Sequence, residues 1–334
     1  MKHIFLHIGL PKTGTSTLQN FLFENAAELK AQGALYPKGL WDVKRRHPEL
    51  AHCFLPANRK RYAHVWSEMH TIIQQADEEV IVLSSEAFSN LNAKALELLK
   101  KELSPYQVTL VAYLRRLDLW IESSYLQNIK SGAYTGTMTD FLPRVAPDIF
   151  YKKVLLWQNL FGKDNLEVRL LERELIPDIC TDFVNLIGLL GKGFEAVPDS
   201  NVKPTLAQMV ALYKLNTAFA KTQGYEGKEG NFQLDKAPID FVKTVAAPML
   251  DKSSHWVSAK KYKVLGFEAA QKLLDSAESW DRKLAKVLDK PFPLFNRTMT
   301  AYEAIPLETL TLKQEEQADL EEVLAARALI AHHT

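Results

Sequence analysis

The sequence contains little that would stabilise a fold other than a buried core. Only two cysteines, Cys53 and Cys180, occur among 334 residues, too few for a disulfide framework or a zinc site. They suit a reducing compartment, where both would be thiols. No stretch approaches the ~20 apolar residues that span a bilayer, and the apolar run His3–Ile8 is too short for a signal peptide. A cytoplasmic protein without a transmembrane segment is therefore expected.

The sequence also lacks an excess of either charge. Its 41 Lys and Arg residues nearly balance 40 Asp and Glu, which leaves a net charge of +1. Such a chain has no overall attraction to nucleic acid or to a membrane, so neither is expected as a partner. Hydrophobic residues make up 47% of the chain, as in globular proteins. The length favours one large elaborated domain or two domains, and a homo-oligomer remains open.

Four short apolar runs predict buried strands that alternate with helices: His3–Ile8, Val80–Leu83, Val108–Leu114 and Leu166–Leu171. This alternation favours an α/β fold in which helices flank a parallel sheet of about four to five strands. The stretch Gly33–Pro56 contains glycine, proline and clustered charges, and is expected to be irregular.

After residue 204 the strand signal fades. Helical periodicity predicts helices over Thr205–Ala220, Asp240–Leu250, Ala259–Val264, Phe267–Leu288 and Leu310–Ile330. We therefore divide the chain into an α/β core, residues 1–204, and a helical C-terminal cap, residues 205–334, that packs on the core.

The turn between the first strand and the first helix has the composition of an anion-binding loop. Gly9 and Gly14 let backbone N–H groups converge, and the helix N-terminus adds about half a positive charge. Lys12 adds a full charge. The turn is not a Walker A loop, because Thr15 stands after Gly14 where that motif has lysine.

A second anion-binding feature follows the third predicted strand. Arg115 stands at the end of that strand, and Ser123 lies eight residues later on the helix that follows. A guanidinium group binds two oxygens of a phosphate, while a hydroxyl donates to a third. Two phosphate sites on one sheet would suit a nucleotide that is phosphorylated at both ends.

These motifs resemble the sulfotransferases that use 3′-phosphoadenosine-5′-phosphosulfate (PAPS), a family with a P-loop NTPase-like fold. The run Pro11–Thr17 is similar to their 5′-phosphosulfate loop, and Arg115 with Ser123 resembles their 3′-phosphate site. The stretch Trp157–Arg173 resembles the bacterial carbohydrate-sulfotransferase-like branch. The resemblance extends over residues 3–204, which would form the PAPS-binding core, while residues 205–334 would shape the acceptor site.

The resemblance implies sulfuryl transfer from PAPS to a hydroxyl or amine of a carbohydrate or glycolipid, with 3′,5′-adenosine bisphosphate (PAP) as product and no metal required. The donor-binding residues would be Pro11, Lys12, Thr13, Gly14, Thr15, Ser16, Thr17, Arg115 and Ser123. Lys12 would also be catalytic, as the cation at the bridging oxygen. The family's C-terminal Arg-Lys-Gly loop is not visible, and Lys203 is a candidate replacement contact.

The acceptor also needs a catalytic base. Glu86 follows the second predicted strand, at the edge where parallel sheets bind ligands. Related glycan sulfotransferases use a glutamate or a histidine, so His47 and His52 are further candidates. The alternative for Glu86 is a structural role, as a helix cap or a partner of Lys12.

Two other functions stay open. A P-loop-type nucleotide kinase or NTPase would need the Walker lysine that this loop lacks. A non-catalytic protein that binds PAPS or PAP would keep both phosphate sites but would not transfer sulfate.

Overall fold

A computed structural model describes residues 1–37, 47–55, 58–172, 174–197, 204–222, 236–252 and 262–331. The strands in these ranges are β1 His3–His7, β2 Ala34–Leu35, β3 Val80–Ser84, β4 Gln107–Leu114 and β5 Leu166–Leu170. The α-helices are α1 Thr15–Glu24, α2 Ala26–Ala31, α3 Pro48–His52, α4 Arg59–Gln75, α5 Ala93–Leu103, α6 Leu117–Lys130, α7 Met138–Phe141, α8 Ile149–Phe161, α9 Ile179–Leu186, α10 Leu206–Thr222, α11 Lys236–Phe241, α12 Ala247–Lys252, α13 Phe267–Leu288 and α14 Gln314–Ala331.

The five strands form one parallel sheet in the order β2-β3-β1-β4-β5. The central strand β1 pairs with β3 and β4, so that His7 lies beside Ser84 on one side and Val111 on the other. Hydrogen bonding continues past the strand ends, where the Ser85 N–H donates to the His7 carbonyl over 3.1 Å. The predicted α/β fold with a parallel sheet of four to five strands is confirmed.

The sheet is covered by helices on both faces. Alternate residues of β1 enter different cores, because successive side chains of a strand point to opposite faces. Ile4 and Leu6 pack with Trp157 of α8, whereas Phe5 packs with Leu18 of α1. Burial on both faces explains why the strands appear in the sequence as continuous apolar runs.

The expectation that Gly33–Pro56 is irregular was wrong at two places. Ala34–Leu35 forms the edge strand β2, paired with Val80 and Ile81 of β3, and Pro48–His52 forms α3. Two residues are too few for a recognisable apolar pattern, so β2 depends on the neighbouring strand rather than on its own sequence.

The expectation of a helix over Ala259–Val264 also fails at its described residues. Tyr262–Val264 is not helical. The Val264 N–H donates to Glu122 Oε1 over 2.8 Å, and the Lys263 carbonyl accepts from the Ile305 N–H over 2.7 Å. Backbone groups that a helix would pair internally are here satisfied by distant segments.

The chain forms two compact units, each made of several segments. One comprises Met1–Arg116, Asp148–Asn201 and Glu278–Arg297, and the other comprises Leu117–Pro147, Val202–Ala277 and Thr298–Thr334. The sheet lies wholly in the first unit. The functional division of the chain at residue 204 stays a prediction.

The described part of the second unit contains helices and connecting segments but no strand. Its α10 carries Asn216, whose Nδ2 donates to the carbonyls of Ile129 and Tyr134, which holds the end of α6 against α10. None of the helices in the described ranges is long and apolar enough to span a bilayer.

Candidate active site

The loop between β1 and α1 has an unusual backbone. Gly9, Lys12 and Gly14 all have left-handed φ angles, of 59°, 68° and 82°. Glycine adopts this conformation freely, but for lysine it is strained and commonly marks a functional position. Gly14 is the N-cap of α1 and makes no side-chain capping bond. The loop therefore presents the start of α1 with no capping side chain from that position, as an anion-binding loop requires.

Gly9 lies against the residue that was predicted as the base. A Cβ atom on Gly9 would come within 2.8 Å of Glu86 Cα and 3.2 Å of Glu86 Cγ. Real Cβ atoms essentially never approach another atom to the first of these distances. Only glycine therefore lets the end of β1 pass this closely to the residue that follows β3.

Glu86 is connected to the loop by a direct hydrogen bond. The Thr15 hydroxyl donates to Glu86 Oε1, and Thr15 is buried whereas Glu86 is only half-buried. Glu86 opens a 3-10 helix that runs to Asn90. The capping side chain of that helix is Ser85, whose Oγ accepts from the Ala87 N–H over 3.1 Å. The Glu86 carboxylate thus binds the loop, while the side chain of Ser85 caps the 3-10 helix.

The Thr15 and Thr13 hydroxyl hydrogens are both engaged within the protein. Thr15 donates to Glu86, and Thr13 donates to the Leu10 carbonyl over 2.7 Å. In this arrangement neither hydroxyl offers its hydrogen to a ligand. The backbone N–H groups that follow Gly14, together with Ser16 and Thr17, remain the expected donors.

Arg115 reaches the same loop from the next strand. It follows β4 directly, and its Nη1 donates to the Lys12 carbonyl over 3.4 Å. Parallel strands β1 and β4 are neighbours in the sheet, so their carboxyl ends bring the two residues together. The two anion-binding features predicted separately are therefore in contact at Arg115.

The contribution of two further predicted donor-binding residues, Ser123 and Lys203, stays a prediction. Ser123 lies half-buried on α6, in the second compact unit, so its convergence with Arg115 stays a prediction. Lys203 lies outside the described residues.

His47 is buried in the polar network at the end of β3. Its Nδ1 accepts from the Ser84 N–H over 3.1 Å, and its Nε2–H donates to the Pro37 carbonyl over 3.0 Å. These bonds fix the neutral tautomer that is protonated on Nε2. Burial lowers the pKa of His47 to about 4. With both ring nitrogens bound to backbone, His47 is held as a structural residue in this arrangement.

His52 lies on α3, where its ring packs 5.5 Å from the ring of Tyr62. Its Nδ1 is buried and has no hydrogen-bond partner among the described residues. Between the histidines and Glu86, only Glu86 is joined to the loop by a hydrogen bond that the structure describes.

A pocket adjoins the loop on the α1 side. It has a volume of about 300 Å³ and is lined by residues of α1, of α9 and of the segment from 191 to 197. The pocket lies next to the predicted anion-binding loop, because Thr17 of that loop is one of its lining residues. Phe21 and Phe194 form apolar parts of its wall, and Asp178 contributes a carboxylate. Its volume lies at the lower end of the range of small-molecule sites. No local sequence pattern indicates this pocket, because its walls come from segments far apart in the chain.

Comparison with known proteins gives little further information. The chain matches no protein-family model. It is 33% identical over 111 residues to an uncharacterized protein of Archaeoglobus fulgidus, a stretch that makes up 33% of this chain and 30% of that protein. The chain thus spans less than a third of that relative's length.

Proposed function

We propose that the protein is a PAPS-dependent sulfotransferase that acts on a hydroxyl or amine of a carbohydrate or glycolipid. The contact of Arg115 with the Lys12 carbonyl carries the proposal. PAPS has a phosphosulfate at one end of its ribose and a phosphate at the other. A loop at a helix N-terminus and an adjacent guanidinium group are suited to bind those two ends together. The activity would take place in the cytoplasm, where Cys53 and Cys180 would both stay reduced.

The reaction would be an in-line displacement at sulfur. The acceptor oxygen or nitrogen forms a bond to sulfur while the bond from sulfur to the bridging oxygen breaks, and that electron pair leaves with PAP. Negative charge develops on the bridging oxygen, where the Lys12 ammonium would stabilise it. The sulfuryl group carries less charge than a phosphoryl group, so one lysine and oriented amides could supply the electrostatic stabilisation.

Glu86 would accept the proton that the acceptor loses. Its Oε1 accepts from Thr15, which fixes the carboxylate beside the loop. Its Oε2 makes no hydrogen bond to the described residues, so this oxygen is available to an acceptor hydroxyl. The base and the donor loop are therefore held together by the protein before either substrate binds.

The pocket beside Thr17 would hold the nucleoside. Thr17 is two residues into α1 from its first residue Thr15, so a ligand bound at the loop can extend directly into the pocket. Phe21 and Phe194 offer apolar surface to a purine ring. This placement suits an adenine nucleotide better than a free phosphosulfate or sulfate ion.

A titration with PAP tests the proposal. We expect PAP to bind to the purified protein in a calorimetric titration, and to compete with PAPS. Labelled PAPS with a panel of carbohydrate and glycolipid acceptors then tests transfer. No PAP binding at millimolar concentration would refute the proposed function, whereas PAP binding without transfer to any acceptor would favour a non-catalytic binding protein. ATP turnover that depends on magnesium and survives Arg115→Ala would favour the kinase alternative.

The variant Glu86→Gln is expected to keep PAP affinity and to lower turnover by about 10²–10⁴-fold, the usual contribution of a general base. Glutamine retains the size of the side chain and can still accept from Thr15, so the loop should keep its structure. The measurement is the single-turnover rate of PAPS consumption beside the PAP dissociation constant. Unchanged turnover would mean that Glu86 is not the catalytic base, and His52 would be the next candidate to test.

A further inference from the structure

Lys153 is a half-buried cation that neither the motifs nor the proposed reaction uses. It lies on α8, and its side chain lines a small cavity with Leu10 of the loop and Ser89. Its Nζ donates to the Ser89 carbonyl over 2.5 Å. Burial lowers the pKa of Lys153, as expected for an ammonium group among the apolar side chains that line the rest of the cavity.

Lys153 differs from its neighbour Lys152 in its charge pairing. The exposed Lys152 pairs with Asp148 on the same helix, with 2.8 Å between Nζ and Oδ2. No carboxylate among the described residues pairs with Lys153. An ammonium has three N–H donors, and the Ser89 carbonyl occupies one. Removing part of a charge from water without a countercharge is unfavourable, so an oxyanion ligand at the two remaining donors would stabilise the ammonium group.

The position of Lys153 relates this anion to the acceptor. Ser89 belongs to the 3-10 helix that begins at Glu86, and the Ser89 hydroxyl donates to the Glu86 carbonyl over 2.8 Å. The bond from Lys153 to Ser89 therefore lies one helical turn from the proposed base. An acceptor whose hydroxyl meets Glu86 would bring its neighbouring substituents to this ammonium.

We propose that Lys153 binds an oxyanion substituent of the acceptor, a carboxylate or a sulfate ester, so that the preferred acceptors are acidic carbohydrates. This inference rests on the proposed sulfotransferase function, because Glu86 defines where the acceptor lies. A purely structural role, in which Lys153 only neutralises the C-terminal end of the 3-10 helix, predicts no preference between acidic and neutral acceptors.

Matched glycosides test the inference. The protein is first saturated with PAP, and then titrated with a p-nitrophenyl glucoside, the corresponding glucuronide and the corresponding glucoside 6-sulfate. We expect at least one acidic glycoside to bind roughly tenfold or more tightly than the neutral one, as for a charge-assisted contact. The Lys153→Met variant should lose this preference, and Lys152→Met, which removes the exposed neighbouring charge, should keep it.

The outcomes separate the inference from the function on which it rests. Failure of PAP to bind refutes the function. If PAP binds, equal affinity for all three glycosides, no binding of either acidic glycoside at millimolar concentration, or a preference that survives Lys153→Met overturns the inference.

The salt dependence of the wild-type protein gives a further test that does not depend on the folding of the variant. Molar sodium chloride should weaken binding of the acidic glycoside more than that of the glucoside, and equal salt dependence overturns the inference. The two acidic glycosides show whether carboxylate or sulfate ester is preferred.

Discussion

Replacing Lys12 by alanine is expected to slow the conversion of PAPS to PAP by roughly 10²–10³-fold, the loss that follows removal of one preorganised donor in a transition state. Lys12 has a left-handed backbone conformation, with φ of 68°. Glycine would adopt this conformation with less strain, but it would provide no side chain at this position of the loop. Alanine has a similar preference against this conformation, so the change removes the ammonium group with little change in backbone strain. Single-turnover measurement at saturating PAPS isolates the chemical step.

The control for Lys12 is Lys152→Ala, which removes an exposed lysine from the same compact unit and should leave the rate unchanged. Lys12→Arg keeps the charge but changes its shape, and should fall between wild type and alanine. An unchanged rate in Lys12→Ala would show that Lys12 does not stabilise the charge on the bridging oxygen in the transition state. A rate loss fully reversed by raising PAPS would mean that Lys12 contributes to binding alone.

Replacing Arg115 by alanine is expected to weaken PAP binding by about 2–3 kcal/mol, since a charge-assisted hydrogen bond is lost. Its Nη1 donates to the Lys12 carbonyl over 3.4 Å, so the guanidinium group already lies beside the loop that would hold the 5′-phosphosulfate. Calorimetric titration of wild type and variant with PAP measures the effect. Adenosine 5′-phosphate, which lacks the 3′-phosphate, should bind to both proteins with similar affinity.

This pair of ligands gives a double-mutant cycle in which only the 3′-phosphate interaction differs. The neighbouring Arg116 is the matched control, because its Nη1 donates to the Asn296 carbonyl over 2.8 Å and it is assigned no part in nucleotide binding. Arg116→Ala should leave the difference between PAP and adenosine 5′-phosphate unchanged. Equal PAP affinity of wild type and Arg115→Ala would refute the 3′-phosphate assignment.

The sequence predicted most of the sheet because its strands are buried on both faces. β1, β3, β4 and β5 appear as apolar runs that a local pattern can detect. β2 has two residues and owes its pairing to Val80 and Ile81, and no local pattern marks it. The failed helix at Tyr262–Val264 has the same cause, since a distant carboxylate, Glu122, binds its backbone.

The residues of the candidate site likewise divide into those that the sequence predicted and those that it did not. Strand ends can be read from sequence, so Glu86 and Arg115 were expected at the carboxyl edge of the sheet, next to Lys12. The burial of His47 could not be predicted, because its partners Ser84 and Pro37 adjoin it only after folding. Lys153 could have been noticed from the sequence. The helical periodicity of α8 puts it beside Val154 on the buried face of the helix, which is an unusual position for lysine.

The close approach of Gly9 to Glu86 limits how this site can vary. The atom that a side chain at position 9 would strike first is the Cα atom of residue 86, which every amino acid possesses. No replacement at position 86 could therefore suppress a substitution at position 9. A compensating change would have to shift β1 against β3, the pairing at the centre of the sheet. The glycine at position 9 and the location of the proposed base are thus coupled: the side chain at position 86 can change, but its backbone position cannot change independently of residue 9.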